Sequence, residues 1–228
     1  MSFSNMKFAS VFFALLVLPL SATAQDAVPR DQHQMHQLHQ DPKSYIGALE
    51  DPQRDAYQKP HEVLTALRLK PGEVIADIGA GSGYFTFRFS HFVGEKGKIY
   101  AVDVSPDMIL YINRRIRELK VNNVISILAD PDDPLLADRS VNRFFFSESW
   151  HHIENQTKYL SLMKRMLKPG GEVVMIDFHK KKEIPVGPPF EMRIAREDVI
   201  KQMENNGFRL AKEHTFLPYQ YFLIFMPQ

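Results

Sequence analysis

The sequence contains no cysteine, which removes disulfides, thiolate nucleophiles, Fe–S clusters and cysteine-ligated zinc at once. It also lacks a surplus of charge of either sign. There are 28 Lys and Arg against 27 Asp and Glu, a formal net charge of +1, and a non-specific nucleic-acid binder needs a basic excess. No unit of roughly 20 to 50 residues repeats, so solenoids and propellers are excluded. The apolar run from Phe8 to Leu20 stops at 13 residues, short of the roughly 18 that a membrane-spanning helix needs.

That run instead reads as the centre of a secretory signal peptide. Lys7 precedes it, and Ser21-Ala22-Thr23-Ala24 follows with small residues in an A-x-A arrangement, so cleavage is predicted before Gln25. Residues 1–24 are therefore expected to be removed from an exported protein, periplasmic or secreted. The cleavage point carries no cysteine for a lipid anchor, so no stable membrane attachment is expected afterwards. Losing Lys7 leaves 204 residues with 27 basic and 27 acidic side chains.

Residues 25–59 form a polar arm punctuated by Pro29, Pro42 and Pro52, read as a linker or a loosely held N-terminal segment. His33, His36 and His39 lie three apart within it. They could share a metal on a helix, but a solvated Gln/His-rich arm is the plainer reading, and no metal is expected. Tyr57-Gln58-Lys59-Pro60 stands where the arm could fold over a ligand as a lid, with Tyr57 touching a substrate, or could be an ordinary connection.

From residue 60 to 228 short apolar runs alternate with helical stretches. Strands are predicted at 74–78, 98–102, 124–129, 141–146 and 172–178, and helices at 62–69, 84–93, 106–120, 157–167 and 191–206. Ser105 and Pro106 supply a cap and a first-turn proline. Lys168-Pro169-Gly170-Gly171 reads as a helix stop and turn. Strands apolar on both faces and separated by helices imply a parallel sheet covered on both sides. The last two strands, 208–215 and 219–226, have no helix between them and must pair antiparallel. The fold class is α/β: a doubly wound, seven-stranded, Rossmann-like sheet, mostly parallel with an antiparallel C-terminal pair.

In such a sheet ligands bind beyond the carboxyl ends of the strands. The turn after the first strand is Asp77-Ile78-Gly79-Ala80-Gly81-Ser82-Gly83, where glycines allow close backbone approach and the next helix offers N–H groups to an anion. Asp103 closes the second strand, placed for a ribose diol, and Asp130 the third, placed for an adenine amine. Asp103 could instead cap the next helix, and Asp130 could open the Pro131–Pro134 turn. G-x-G-x-x-G fails, because its third glycine would fall on Tyr84 or Thr86, so a nicotinamide oxidoreductase is not supported.

The spacing G-x-G-x-G after Asp77 resembles motif I of the class I S-adenosylmethionine-dependent methyltransferases. The resemblance extends over about residues 60–226 through Val102 to Met108, Ala129-Asp130, Trp150-His151-His152-Ile153 and Leu167 to Gly171. The last two stretches are similar to the small-molecule type 11 branch. The resemblance implies S-adenosyl-L-methionine as cofactor, with Gly79, Gly81 and Gly83 along its methionine part. It implies Asp103 on the ribose, Asp130 at the adenine, and Val104 or Met108 against the adenine face. Asn142 stands where such proteins often carry Asp. The absence of Asn-Pro-Pro-Tyr after the fourth strand removes support for that type of amide and nucleobase N-methylation. The absence of cysteine argues against the arsenic methylation known in related proteins.

Methyl transfer is an in-line displacement at an activated carbon, so alignment and exclusion of water matter most. A base is needed only for an acceptor that arrives protonated. The fourth strand delivers Glu148, His151 and His152 as candidates, with Trp150 beside them as an acceptor contact, and the fifth delivers Asp177 and His179. Val186-Gly187-Pro188-Pro189 with Arg193 suggests a substrate wall and a guanidinium for a carboxylate, or else an ordinary connecting loop. The tail Phe216 to Phe222 reads as sheet core. The expected function is methyl transfer to a small-molecule acceptor, with no nucleic-acid partner. The alternative is a non-catalytic exported module that holds S-adenosylhomocysteine or a related nucleoside.

Overall fold

The computed structural model describes residues 41–228. The predicted signal segment and His33, His36 and His39 lie outside the described residues. The described residues open with two short helices, α1 (Pro42–Leu49) and α2 (Arg54–Gln58), followed by α3 (Pro60–Leu67), β1 (Val74–Ile78), α4 (Thr86–Val93), β2 (Lys98–Asp103), α5 (Pro106–Leu119) and β3 (Val124–Leu128). Then come β4 (Val141–Ser147), α6 (Gln156–Met166), β5 (Leu167–Phe178), α7 (Arg196–Asn205), β6 (Phe208–His214) and β7 (Gln220–Pro227).

One seven-stranded sheet runs in the order β3-β2-β1-β4-β5-β7-β6. The first five strands pair in parallel, while β7 runs antiparallel to both β5 and β6. The chain winds outward from β1 to β3 and then returns to lay β4 on the other side of β1. That reversal opens a crevice between the carboxyl ends of β1 and β4. Two apolar clusters hold the sheet. Phe144, Phe146, Trp150, Tyr159 and Met163 belong to one, and Phe85, Phe89, Phe145, Ile176 and Phe222 to the other. Phe144, Phe145 and Phe146 thus bury alternately on opposite sides. Each such side chain contributes about 1.5–3 kcal/mol by leaving water.

Local signals explain the elements near the crevice. Ser105 Oγ accepts from the Met108 N–H at 3.4 Å, and Pro106 begins α5, which buries Met108 and Ile112 against the sheet. Three expectations need correction. Lys168-Pro169-Gly170-Gly171 does not separate helix from strand, because Leu167 already pairs with Val141. The register slips before Arg143 meets Glu172, and the four residues bulge inside β5. The helix expected from Glu191 starts at Arg196. A single 3₁₀ turn precedes it, and Arg193 is extended at φ −73°, ψ 132°. Residues 42–58, read as a loose arm, carry two helices, the second of which buries Arg54 and Gln58.

Candidate active site

A cavity of about 390 Å³ occupies the crevice, within the size range of small-molecule sites. Its floor is the turn after β1. Gly79 and Gly81 have φ of +68° and +55°, and their missing side chains are a steric necessity. A Cβ on Gly79 would lie 2.5 Å from Ser149 Cβ, and one on Gly81 would lie 2.9 Å from Leu49 Cδ1. The turn is therefore pressed between the end of β4 and α1. Ser149 Oγ donates to the Ile78 carbonyl at 2.6 Å and fastens the two strand ends together. Gly83, expected along the ligand, is not part of the lining. A Cβ there would run into the Phe87 ring.

Asp77, Asp103, Val104, Met108 and Asp130 all line the cavity. Asp77 is buried and accepts from Thr86 Oγ1 at 2.6 Å. Burial pushes its carboxyl up to about 7, and nearby Asp103 adds to that, while Thr86 and Arg54 oppose it. Asp103 accepts from the Gly81 N–H at 2.8 Å and the Ser105 N–H at 2.9 Å. It thus braces the turn and the start of α5 while facing the cavity. Several of the turn's donors are occupied. Gly79 and Ala80 N–H both reach the Val102 carbonyl, and Gly83 N–H the Ala80 carbonyl.

The opposite wall comes from the end of β4. Glu148, Ser149, His151 and His152 line the cavity. Glu148 sits at φ +59°, a conformation that costs a non-glycine residue free energy. Its Oε1 accepts from Gln220 Nε2 at 2.7 Å, and its Oε2 lies 3.9 Å from Arg54. Burial pushes the Glu148 carboxyl up, with Arg54 opposing. His151 Nδ1 meets Asp177 Oδ2 at 2.8 Å, both side chains being 2 % exposed. Burial alone would lower the imidazole, but the Asp177 hydrogen bond and charge, with Glu148, raise it. The His152 ring lies 4.2 Å from that of His151.

Three expected acceptor contacts stand elsewhere. Trp150 is 1 % exposed, packed against Phe146 and Tyr159 with its indole N–H on Gln202, so it is core. Tyr57 leans on Phe178 and Tyr219 outside the lining. Arg193 is buried and spends its guanidinium on the carbonyls of Pro188, Lys181 and Val186 at 2.8–3.0 Å. It shapes the loop and leaves the wall to Pro188, Pro189 and Met192. Sequence reasoning missed Tyr45, Leu49 and Arg54, which roof the cavity from α1 and α2. It also missed Gln220 behind Glu148 and the pairing of Asp177 with His151. Burial pushes the Tyr45 hydroxyl up to about 12, helped by Asp103 and Glu148.

A strand order that reverses at β1/β4, a glycine turn between them and acidic ends on three successive strands define a class I S-adenosylmethionine-dependent methyltransferase. Comparison with known proteins agrees. Residues 69–216 match the profile of the methyltransferase domain family, and the chain belongs to that family. A SAM dependent methyltransferase from Aquifex aeolicus superposes with a TM-score of 0.77 at 31% identity, over 82% of this chain and 99% of that one. DhpI, solved with SAH, shares the fold at 16% identity and a TM-score of 0.64, over 86% of this chain and 96% of that one. A ubiquinone/menaquinone biosynthesis C-methyltransferase, UbiE, from Photorhabdus laumondii subsp. laumondii is 28% identical over 129 residues, 56% of this chain and 51% of that protein. Its namesake from Vibrio cholerae serotype O1 is 31% identical over 112 residues, 49% of this chain and 43% of that protein. The chain spans about half the length of these curated relatives. Its cofactor is S-adenosyl-L-methionine. The site fits that molecule: a backbone cradle without Cβ atoms, carboxylates at the ends of β2 and β3, and an incompletely paired guanidinium in the roof.

Proposed function

We propose that the protein is an exported enzyme, similar to the type 11 methyltransferases, that methylates a small acceptor from which a proton must depart. One observation carries this reading: the glycine turn and the acidic strand ends share a single cavity with His151, whose ring is paired behind the wall with Asp177. Bound there, S-adenosylmethionine supplies a methyl group already activated on a sulfonium. The chain's own task is to align the partners and keep water out. Asp103 and Asp130 stand where ribose and adenine would be held, with Val104 and Met108 beside them. Asp177 accepts the Nδ1 proton of neutral His151, which leaves the Nε2 lone pair for the acceptor's proton. Glu148 is engaged by Gln220 and Arg54 and serves to hold the roof.

The acceptor's side of the cavity carries Ile153, Tyr159, Pro188, Pro189 and Met192, a surface for an apolar or planar molecule. The relatives named as C-methyltransferases favour an activated ring carbon over an amine. Residues 1–24 direct export by their charge, apolar run and A-x-A end, and Lys7 is the only charge lost. Incubation of the mature protein with methyl-labelled S-adenosylmethionine and a periplasmic or medium extract tests the reading. Label entering an extracted small molecule, and falling about 10²- to 10⁴-fold in His151→Ala, is the expected result. Binding with no transfer to any acceptor would instead leave a non-catalytic module holding the nucleoside. N-terminal sequencing of the protein recovered outside the cytoplasm should begin at Gln25.

A further inference from the structure

The sheet ends on one side at β3, and that edge carries none of the usual protection. Edge strands are normally blunted by lysine, proline or a bulge, because their unpaired peptide groups attract another chain. β3 reads Val124-Ile125-Ser126-Ile127-Leu128 and pairs with β2 without a register shift. Ile125 and Leu128 are 42 % and 50 % exposed, and Leu119 and Leu135 stand exposed before and after the strand. The backbone shows which peptide groups are spare. Ile99 N–H donates to the Asn123 carbonyl at 2.8 Å, and Ala129 N–H donates to the Asp103 carbonyl at 3.0 Å. In a parallel ladder this directs the peptide groups of Ile125 and Ile127 to β2 and turns those of Val124, Ser126 and Leu128 outward. Among the described residues no strand pairs with this outer edge.

We propose that the edge pairs with a second copy of the chain, the two β3 strands lying antiparallel about a two-fold axis at Ser126. Register and charge both fit that arrangement. Centred on Ser126, the pairing sets Val124 of each copy opposite Leu128 of the other, with their outward N–H and C=O groups face to face, and brings Ile125 against Ile127. The flanks of the strand differ in sign. Arg117 and Lys120 precede it, whereas Asp130, Asp132 and Asp133 follow it. Among the described residues the one ion pair to those three carboxylates is from Lys158 to Asp132. An antiparallel two-fold carries the basic start of each strand to the acidic end of the other. Lys120 and Asp132 lie four residues before and four after the strand, so they are equivalent across the axis. A contact of this isologous kind closes at two copies instead of growing into a fibre. β3 runs directly into Ala129, Asp130 and Pro131 of the cavity wall, so the interface adjoins the site.

The test is sedimentation velocity of the purified protein at about 10–100 μM, where an interface of ordinary size is populated and twice the chain mass is expected. Lys120→Glu and Asp132→Lys should each weaken the dimer by at least about 10-fold, since both symmetric contacts become repulsive. An equimolar mixture of the two variants should recover it, because the two altered charges then face one another and the two native ones do likewise. Ile125→Lys places a charge on the apolar edge, and Ser126→Pro removes an outward N–H while sparing the bonds to β2. Both should sediment as monomers with unchanged circular dichroism. A wild type that sediments as a monomer, its edge left bare or taken by another segment of the chain, would overturn the proposal. So would a dimer that survives Ile125→Lys and Ser126→Pro, or a mixture of the two charge variants that stays monomeric.

Discussion

Glu148 and His151 leave β4 three residues apart and end in different electrostatic company. Glu148 is held by Gln220 and faces Arg54, while His151 is bound to Asp177. Only the second pair leaves a basic nitrogen for a ligand, which separates two candidates that the sequence alone ranked together. The imidazole is raised from its ordinary 6.5 because Asp177, aided by Glu148, outweighs the effect of burial. If neutral His151 takes the acceptor's proton, kcat/KM rises with pH along a limb centred above 6.5. Asp177→Asn removes the anion and leaves burial dominant, so the limb moves below 6.5 while the plateau falls. A pH–rate profile whose limb stays in place would detach the base function from this pair. Trp150 gives the converse lesson. A motif neighbour can be pure core, because residues alternate between site and interior over so short a turn.

At the scale of elements, β4 is fixed at both ends by polar contacts that hydrophobic periodicity cannot announce. Arg143, near the start of the strand, is buried and donates to the Leu67 carbonyl at 3.0 Å, with Glu172 at 3.0 Å and Glu73 at 3.6 Å. Arg143→Ala strands two carboxylates around the end of the strand, and about 3 kcal/mol of stability should be lost in urea unfolding. Cofactor affinity under native conditions should hold, since the substitution lies at the opposite end of the strand from Ser147. β1 was legible to the residue because Val74 to Ile78 is a short, almost wholly apolar run ended by glycine. The helices α1 and α2 were not. Eight and five residues long, they are too short to be stable alone. α2 forms because Arg54 and Gln58 are buried against Glu148, Ser147 and Gln220, and α1 is started by Asp41, whose Oδ1 accepts from the Lys43 N–H at 3.2 Å. The start of α7 was misplaced for a similar reason. Arg193 is drawn out of helical geometry by three carbonyls of a preceding loop, a tertiary contact that local propensity does not contain.

Across the whole molecule, the site holds carboxyl groups whose charge the folded state disfavours, so binding capacity and stability pull against each other. Burial raises Asp77 from 3.8 to about 7 and also raises Glu148 in the site, as it does Glu172 at the other end of the sheet beside Arg143. A carboxyl whose pKa is raised by folding binds its proton more tightly in the native state. Its contribution is complete below the unfolded value, about 3.8 for Asp77, and is lost as pH climbs through about 7. His151, raised by Asp177, acts in the same direction above 6.5. His179 and His214, lowered chiefly by burial, act the other way below 6.5, but both are only partly buried and count for less. The cofactor-free protein should therefore be more stable at pH 5 than at pH 8. Asp77 alone contributes about 2 to 3 kcal/mol of that difference, a shift of roughly 5–10 °C in Tm. Scanning calorimetry at the two pH values checks the sign, and Asp77→Asn should flatten the slope. Saturating S-adenosylmethionine should flatten it too, because a cationic ligand favours the ionised carboxylates around it. A Tm that rises from pH 5 to 8 in the cofactor-free protein would mean that these groups ionise in the fold as easily as in water, and that the cavity does not exclude solvent as the geometry requires.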